Sequence, residues 1–226
     1  QIPSDSTLYI NNISIKRVKV NKFLGIYIDE GLTWKCHIDQ LSCKLAKSIG
    51  MFKVASVYFP HDVLLSMYHA FFVSHLNYGI LVWGNTFTTY LHRINMLHNR
   101  ALRTIFAMPY TAHILPLLYV NKLLSLDDLY VFSCCTFMYK IANSMLPSVI
   151  CKCLLSCLVY IIAQDVVHSI FLHSVKLDVC KRHITFAGVK AWSQLSSNLK
   201  NESSIVLFKN ALFKYLLSKY QLCISS

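Results

Sequence analysis

Carboxylates are scarce in this sequence. Ten Asp and Glu stand against 22 Lys and Arg, a formal net charge of +12 over 226 residues. Sites that hold two metal ions, or pair an acid with a base, need two or three carboxylates close together, and so few leave little room for that chemistry. Glycine and proline are also few, six and five, which excludes collagen-like and low-complexity chains. Charged residues make up only 14% against 55% hydrophobic, which excludes disorder as a description of the whole chain. No G-x-S-x-G, Walker loop, dinucleotide fingerprint or H-E-x-x-H occurs. No basic segment followed by an apolar stretch opens the chain, and Gln1 is read as an internal residue of a longer product.

Long hydrophobic runs are lacking too. The longest, Leu154 to Ala163, has ten residues, short of the roughly 20 that a membrane-spanning helix needs. Val63 to Trp83 is longer but carries His69, His75 and Asn77. Both are predicted to be buried core helices, and no membrane partner is expected. The nine cysteines are an odd, scattered set, and they predict reduced thiols in an intracellular, nuclear or cytoplasmic protein.

What is present is a change of pattern along the chain. Leu8–Ile10 and Ile13–Ile15 flank Asn11-Asn12 as in a β-hairpin. A second apolar run, Phe23 to Ile28, follows a basic segment containing Lys16, Arg17, Lys19 and Lys22. Helical spacing then takes over. Ile38, Leu41, Leu45 and Phe52 share one face of a first helix, and Pro60 and Asp62 open a second that runs to about Leu76. A third spans about Thr88 to Ala107. Ser125 and Asp128 form a capping box for a fourth that ends near Pro147. Two more are predicted around Ala187–Leu199 and Ser203–Leu222. The fold class is therefore mainly α with a small N-terminal antiparallel β element, α+β overall. The segments are 1–34, 35–147, a poorly defined connector 148–186, and 187–226.

Lys and Arg are absent between Val54 and His92, so the central helices read as core and the flanking segments as surface. Arg93, Arg100 and Arg103 lie near one another on the third helix, a spacing suited to a phosphate backbone or to a solvated face. Asp127-Asp128 is the only adjacent pair of aspartates. Following Ser125, it reads as the negative first turn of a helix, not a metal site. Cys151, Cys153, Cys157, His168, His173, Cys180 and His183 lack zinc-ligand spacing. No metal site and no catalytic residue is assigned.

Several short motifs, taken in order, resemble the reverse transcriptase of LINE-type, non-long-terminal-repeat retrotransposons of the jockey-like kind. Lys22-Phe23-Leu24-Gly25-Ile26, then Asp29, Leu32, Trp34 and His37, are similar to the family's K-[YF]-L-G and L-x-W-x-x-H-I segments. Tyr68, Ser74-His75-Leu76-Asn77-Tyr78-Gly79 and Trp83-Gly84 follow. Next come His98-Asn99-Arg100-Ala101-Leu102-Arg103-Thr104-Ile105 and Leu146-Pro147, and finally Gly188, Trp192, Leu195, Leu199, Phe208-Lys209 and Tyr220. His98 stands where the family has Gln, and Trp192-Ser193-Gln194-Leu195-Ser196 lacks the family's Asn and Pro.

The resemblance implies that this is the part of the polymerase that follows the catalytic motifs of the palm. Phe23, Leu24 and Gly25 would then be primer-grip-like, and the helices would be a thumb. Lys22, Arg93, Arg100 and Arg103 would contact the backbone of an RNA/DNA template-primer. The catalytic aspartates, with the magnesium they bind, are expected in a palm upstream of Gln1. That palm and its fingers, in the same polyprotein, are the expected intramolecular partners. No cofactor is expected in this chain, and alone it is predicted to be inactive. The alternatives are a non-catalytic decayed remnant, a recruited helical protein-interaction module, or a membrane-associated helical protein, the last disfavoured by the motif order.

Overall fold

The computed structural model describes residues 8–147 and 184–225. The architecture is mainly helical with two short antiparallel hairpins at its N-terminal end, as the hydrophobic patterning predicts. In the first hairpin, β1 (Leu8–Ile10) pairs with β2 (Ile13–Ile15) through Asn11-Asn12, both in the left-handed region. Asparagine tolerates that backbone, and the turn's twist matches the strands. The second hairpin corrects the reading of Phe23–Ile28 as one apolar run. β3 (Val20–Phe23) and β4 (Ile26–Asp29) are separated by a turn at Leu24-Gly25, with φ of 45° and 81°.

Asp29 starts the helical part. Its carboxylate accepts from the Thr33 amide and hydroxyl and from the Trp34 amide at 2.7–2.9 Å. The loop so closed delivers the chain into α1 (Lys35–Ala55). Burial alone would raise the Asp29 carboxyl, but these hydrogen bonds outweigh it and hold the group below the ordinary carboxylate range. Ile38, Leu41, Leu45 and Phe52 face inward along α1, as their spacing predicts.

The second helix is not continuous. α2 (His61–Tyr68) passes into a π-helical turn (His69–Val73), then α3 (Ser74–Asn77), a break at Tyr78-Gly79, and α4 (Ile80–Trp83). Leu64, Tyr68, Phe72 and Leu76 are all buried at a spacing of four. A regular α-helix would rotate these positions by about 40° per step, about 120° in all. The wider turn absorbs that drift. The Ser48 hydroxyl donates to the Phe71 carbonyl at 3.0 Å, tying the π turn to α1.

α5 (Thr88–Ile105) lies along α1. α6 (Ile114–Val120) was not evident from periodicity; Pro116 sits in its first turn, where its missing N–H is not needed. α7 (Leu126–Ala142) is flanked by α8 (Ile184–Ser193) and α10 (Ile205–Ser225), and α9 (Ser197–Lys200) bridges those two. The predicted helix over Ala187–Leu199 is thus broken at Gln194–Ser196. Gly188 lets α8 approach α7 so closely that a Cβ there would stand 3.2 Å from the Met138 sulfur. Tyr139 stacks on Phe208 at 4.4 Å between ring centroids, and Trp192 packs on the same ring. The main core lies among α1 to α7, and Tyr220 of α10 reaches into it.

Candidate nucleic-acid interface

The turn of the second hairpin is a projecting surface. Phe23 and Leu24 are 61% and 73% exposed. The backbone of the turn is held from behind by the α3–α4 break. The Tyr78 hydroxyl donates to the Leu24 carbonyl. At Gly79 φ is +65°, a backbone that glycine adopts without strain, and a Cβ there would stand 2.5 Å from Ile26 Cδ1, so that the end of the Ile26 side chain would have to shift. Two segments more than fifty positions apart in sequence therefore meet. The Gly25 position is accordingly a left-handed turn residue and not a strand interior.

Lys22 and Tyr27 are direct cross-strand partners, and the Lys22 ammonium lies 5.5 Å from the Tyr27 ring centroid. Of the three arginines of α5, Arg93 and Arg100 line one groove, of about 590 Å³, between α1 and α5, and Arg103 does not. Arg93, Met96 and Arg100 form one side of it, Cys43 and Ala46 the other, and Tyr110 closes one end. Their states differ. Arg93 pairs with Asp39 of α1 at 2.7 Å, both side chains about half exposed, which is worth little to stability in water. Arg103 is committed structurally. Its guanidinium donates twice to the Ala112 carbonyl, at 2.9 and 3.2 Å, and lies over the Tyr110 ring. Arg100 is exposed and has no ion pair among the described residues. Of the four basic candidates, Lys22 and Arg100 therefore present the most available charge.

Asp127 and Asp128 occupy the first turn of α7, as the capping box predicts. Ser125 Oγ accepts from the Asp128 amide at 3.2 Å and donates to its carboxylate at 2.6 Å. The Tyr220 hydroxyl donates to the same carboxylate and accepts from the Ser125 amide. A carboxylate so committed to capping and to a helix–helix tie has a structural task. Burial, with the neighbouring Asp128 charge, pushes the Asp127 carboxyl up.

His98 is fully buried on α5. It shares a hydrogen bond with the Tyr68 hydroxyl and stacks with Tyr68 and Phe72. Burial lowers its pKa to about 4, so the ring is neutral near pH 7. A glutamine amide at this position can exchange the same hydrogen bond with a tyrosine hydroxyl. Sequence reasoning did not find this pair, nor the Tyr78–Leu24 tie, because each joins distant segments. The only sequence signal was that all four residues lie in or beside the quoted motifs.

Among the described residues no cluster of His, Cys, Asp and Glu is placed to hold a metal ion, and no helix is long and apolar enough to cross a membrane. The Cys and His residues between Cys151 and His183, and the apolar run Leu154–Ala163, lie outside the described residues. Comparison with family models, with curated proteins and with solved structures gives no match.

Proposed function

We propose that this chain is the C-terminal part of a non-LTR retrotransposon reverse transcriptase. In this reading it supplies a primer-grip-like hairpin and a helical thumb that holds a template-primer duplex by its backbone. The observation that carries the reading is the seating of the Phe23-Leu24-Gly25 turn on Tyr78-Gly79. Two motif segments selected separately by resemblance form one unit, and the turn they build projects apolar and backbone groups outward. The net charge of +12 and the groove carrying Arg93 and Arg100 supply a sequence-independent attraction for phosphates. Catalytic aspartates and their magnesium belong, in this reading, to a palm elsewhere in the same polyprotein.

The test is binding of the chain to an RNA/DNA primer-template by fluorescence anisotropy across a salt series. Affinity should fall steeply with salt, and Arg100→Ala should reduce the log–log slope by about one. Binding that is absent, or indifferent to salt, would remove this reading. A second reading, a recruited protein-interaction module or decayed remnant, is favoured by one observation. The two hairpins leave Tyr9, Ile10, Ile13, Val18, Phe23 and Leu24 exposed, an apolar surface of the kind that a protein partner covers.

A further inference from the structure

A cavity of about 480 Å³ lies between the packed helices and has no part in the proposed function. It sits at the seam of two core clusters. Of its walls, Tyr68 and Leu123 belong with the main core, while Leu124, Phe132 and Phe213 belong with the cluster around α10. Phe132 and Phe213 meet edge to face there, with ring centroids 6.4 Å apart.

The sequence shapes each wall in the same way, apolar with a cationic end. Along α7, Leu129, Phe132, Phe137 and Lys140 fall at i, i+3, i+8 and i+11, one stripe of a helix. On α10, Lys209 and Phe213 are four apart and share a face. The connection from α6 to α7 brings Lys122, whose backbone is left-handed with φ of 52°. His69 and Val73, the first and last residues of the π turn, line the cavity as well. Two irregular pieces of backbone thus border one cavity, and such pieces concentrate at ligand sites.

Charge narrows the occupant. Three lysines line the cavity and no carboxylate does. Among the described residues none of the three has an ion pair. Like charges beside an apolar cavity repel one another, and an anion placed among them relieves this. The walls are mostly leucine, valine and phenylalanine, and the Tyr68 hydroxyl is already committed to His98. The body of a ligand therefore meets little that demands a hydrogen bond. An apolar pocket of about 300–1,000 Å³ with a few polar groups is the usual form of a small-molecule site. A stable protein interface needs a much broader surface, about 800 Å² on each side.

We propose that this cavity binds a single-chain anionic amphiphile of the fatty-acid class. Its alkyl chain lies among Val73, Leu129, Phe132, Phe137 and Phe213, and its carboxylate pairs with the lysine ammonium groups. Lysine suits that task, since its compact charge rides on a flexible stem. Burial of the chain drives binding, and the lysines select the head group. The inference is independent of the polymerase reading.

The test is isothermal titration calorimetry of the full chain with dodecanoate, kept below its micellar range. The expected result is saturable binding of one molecule per chain. Dodecyltrimethylammonium, with the same chain and the opposite charge, should bind at least about tenfold more weakly. Lys140→Met combined with Lys209→Met should weaken dodecanoate binding about tenfold, as for a lost charge-assisted hydrogen bond. Both lysines are only partly buried, so this variant should fold, and thermal denaturation followed by circular dichroism checks it. Ser133→Trp, which fills the cavity from α7, should abolish saturation. Equal affinity for the two amphiphiles would overturn the proposal. So would uptake at several sites that Ser133→Trp leaves unchanged, as for adsorption on exposed apolar surface. Absence of saturable binding, as when a protein segment covers the cavity, would overturn it too.

Discussion

The Tyr78 hydroxyl donates to the Leu24 carbonyl, so the end of a helix in the core fixes the tip of a hairpin on the surface. The backbone beside it is constrained too, because Gly79 is left-handed, and a methyl group there would displace the end of the Ile26 side chain. Gly79→Ala should destabilise the protein by about 1–2 kcal/mol from the left-handed backbone alone. Tyr78→Phe should cost about 1 kcal/mol. Urea denaturation measures both, and amide exchange in residues 20–29 should accelerate in each variant. Unchanged exchange would mean that the hairpin is held by something else.

Arg100 and Arg103 make opposite predictions although they are three positions apart. Arg100→Ala should leave stability within about 0.5 kcal/mol, the usual range for a surface change, while weakening duplex binding. Arg103→Ala removes two hydrogen bonds to Ala112 and the contact with Tyr110. It should lower thermal stability measurably in the absence of nucleic acid. Equal stability losses in the two variants would contradict the distinction.

His98 predicts a pH dependence. Its folded pKa is lowered by burial to about 4 from an ordinary 6.5. Above pH 6.5 the ring is neutral both folded and unfolded, so its contribution to stability is complete. Between 6.5 and 4 only the unfolded chain takes up the proton, and stability is lost as pH falls. The loss levels off below the folded pKa, at about 3 kcal/mol in total. His98→Gln keeps a partner for Tyr68 and cannot titrate. It should therefore fold, and should lose less stability than the parent between neutral pH and about pH 4.5. A parallel loss in both proteins would assign the acid sensitivity to other groups.

Asp128 is predicted to matter for folding and not for nucleotide chemistry. Asp128→Ala removes the side-chain partner of Ser125 and of Tyr220. It should cost about 1–2 kcal/mol, in the range of a lost helix cap or hydrogen bond, readable as a lower denaturation midpoint. The isolated chain should incorporate no nucleotide on any template-primer. Template-dependent incorporation that Asp128→Ala abolishes would contradict this.

Local signals in the sequence were legible where the cause is local. Asn11-Asn12 marked the first turn, Ser125 and Asp128 marked the start of α7, and the apolar positions of α1 fell on its buried face. The rest depended on contacts between distant segments. Leu24 is apolar and exposed in a left-handed turn, so the run Phe23–Ile28 concealed a reversal that the Tyr78 tie holds. Arg103 looked like one charge in a basic row because its acceptor is a loop carbonyl, which no side-chain pattern reveals. His37 matched a motif, but the burial of both its ring nitrogens without a hydrogen-bond partner depends on the packing of distant segments.

The π-helical turn at His69–Val73 has a consequence for length variation. It is a place where the helix carries one residue more than its hydrogen-bond ladder requires. Removing the exposed Ala70 would change the buried spacing from four-four-four to four-three-four, which an ordinary α-helix satisfies. Leu76 would keep its face, at the cost of the Ser48 bond to the Phe71 carbonyl. The same deletion in the middle of α1 would swing everything beyond it by about 100° and put its buried residues into water. The turn is thus a point at which single-residue indels can enter without re-aiming the domain.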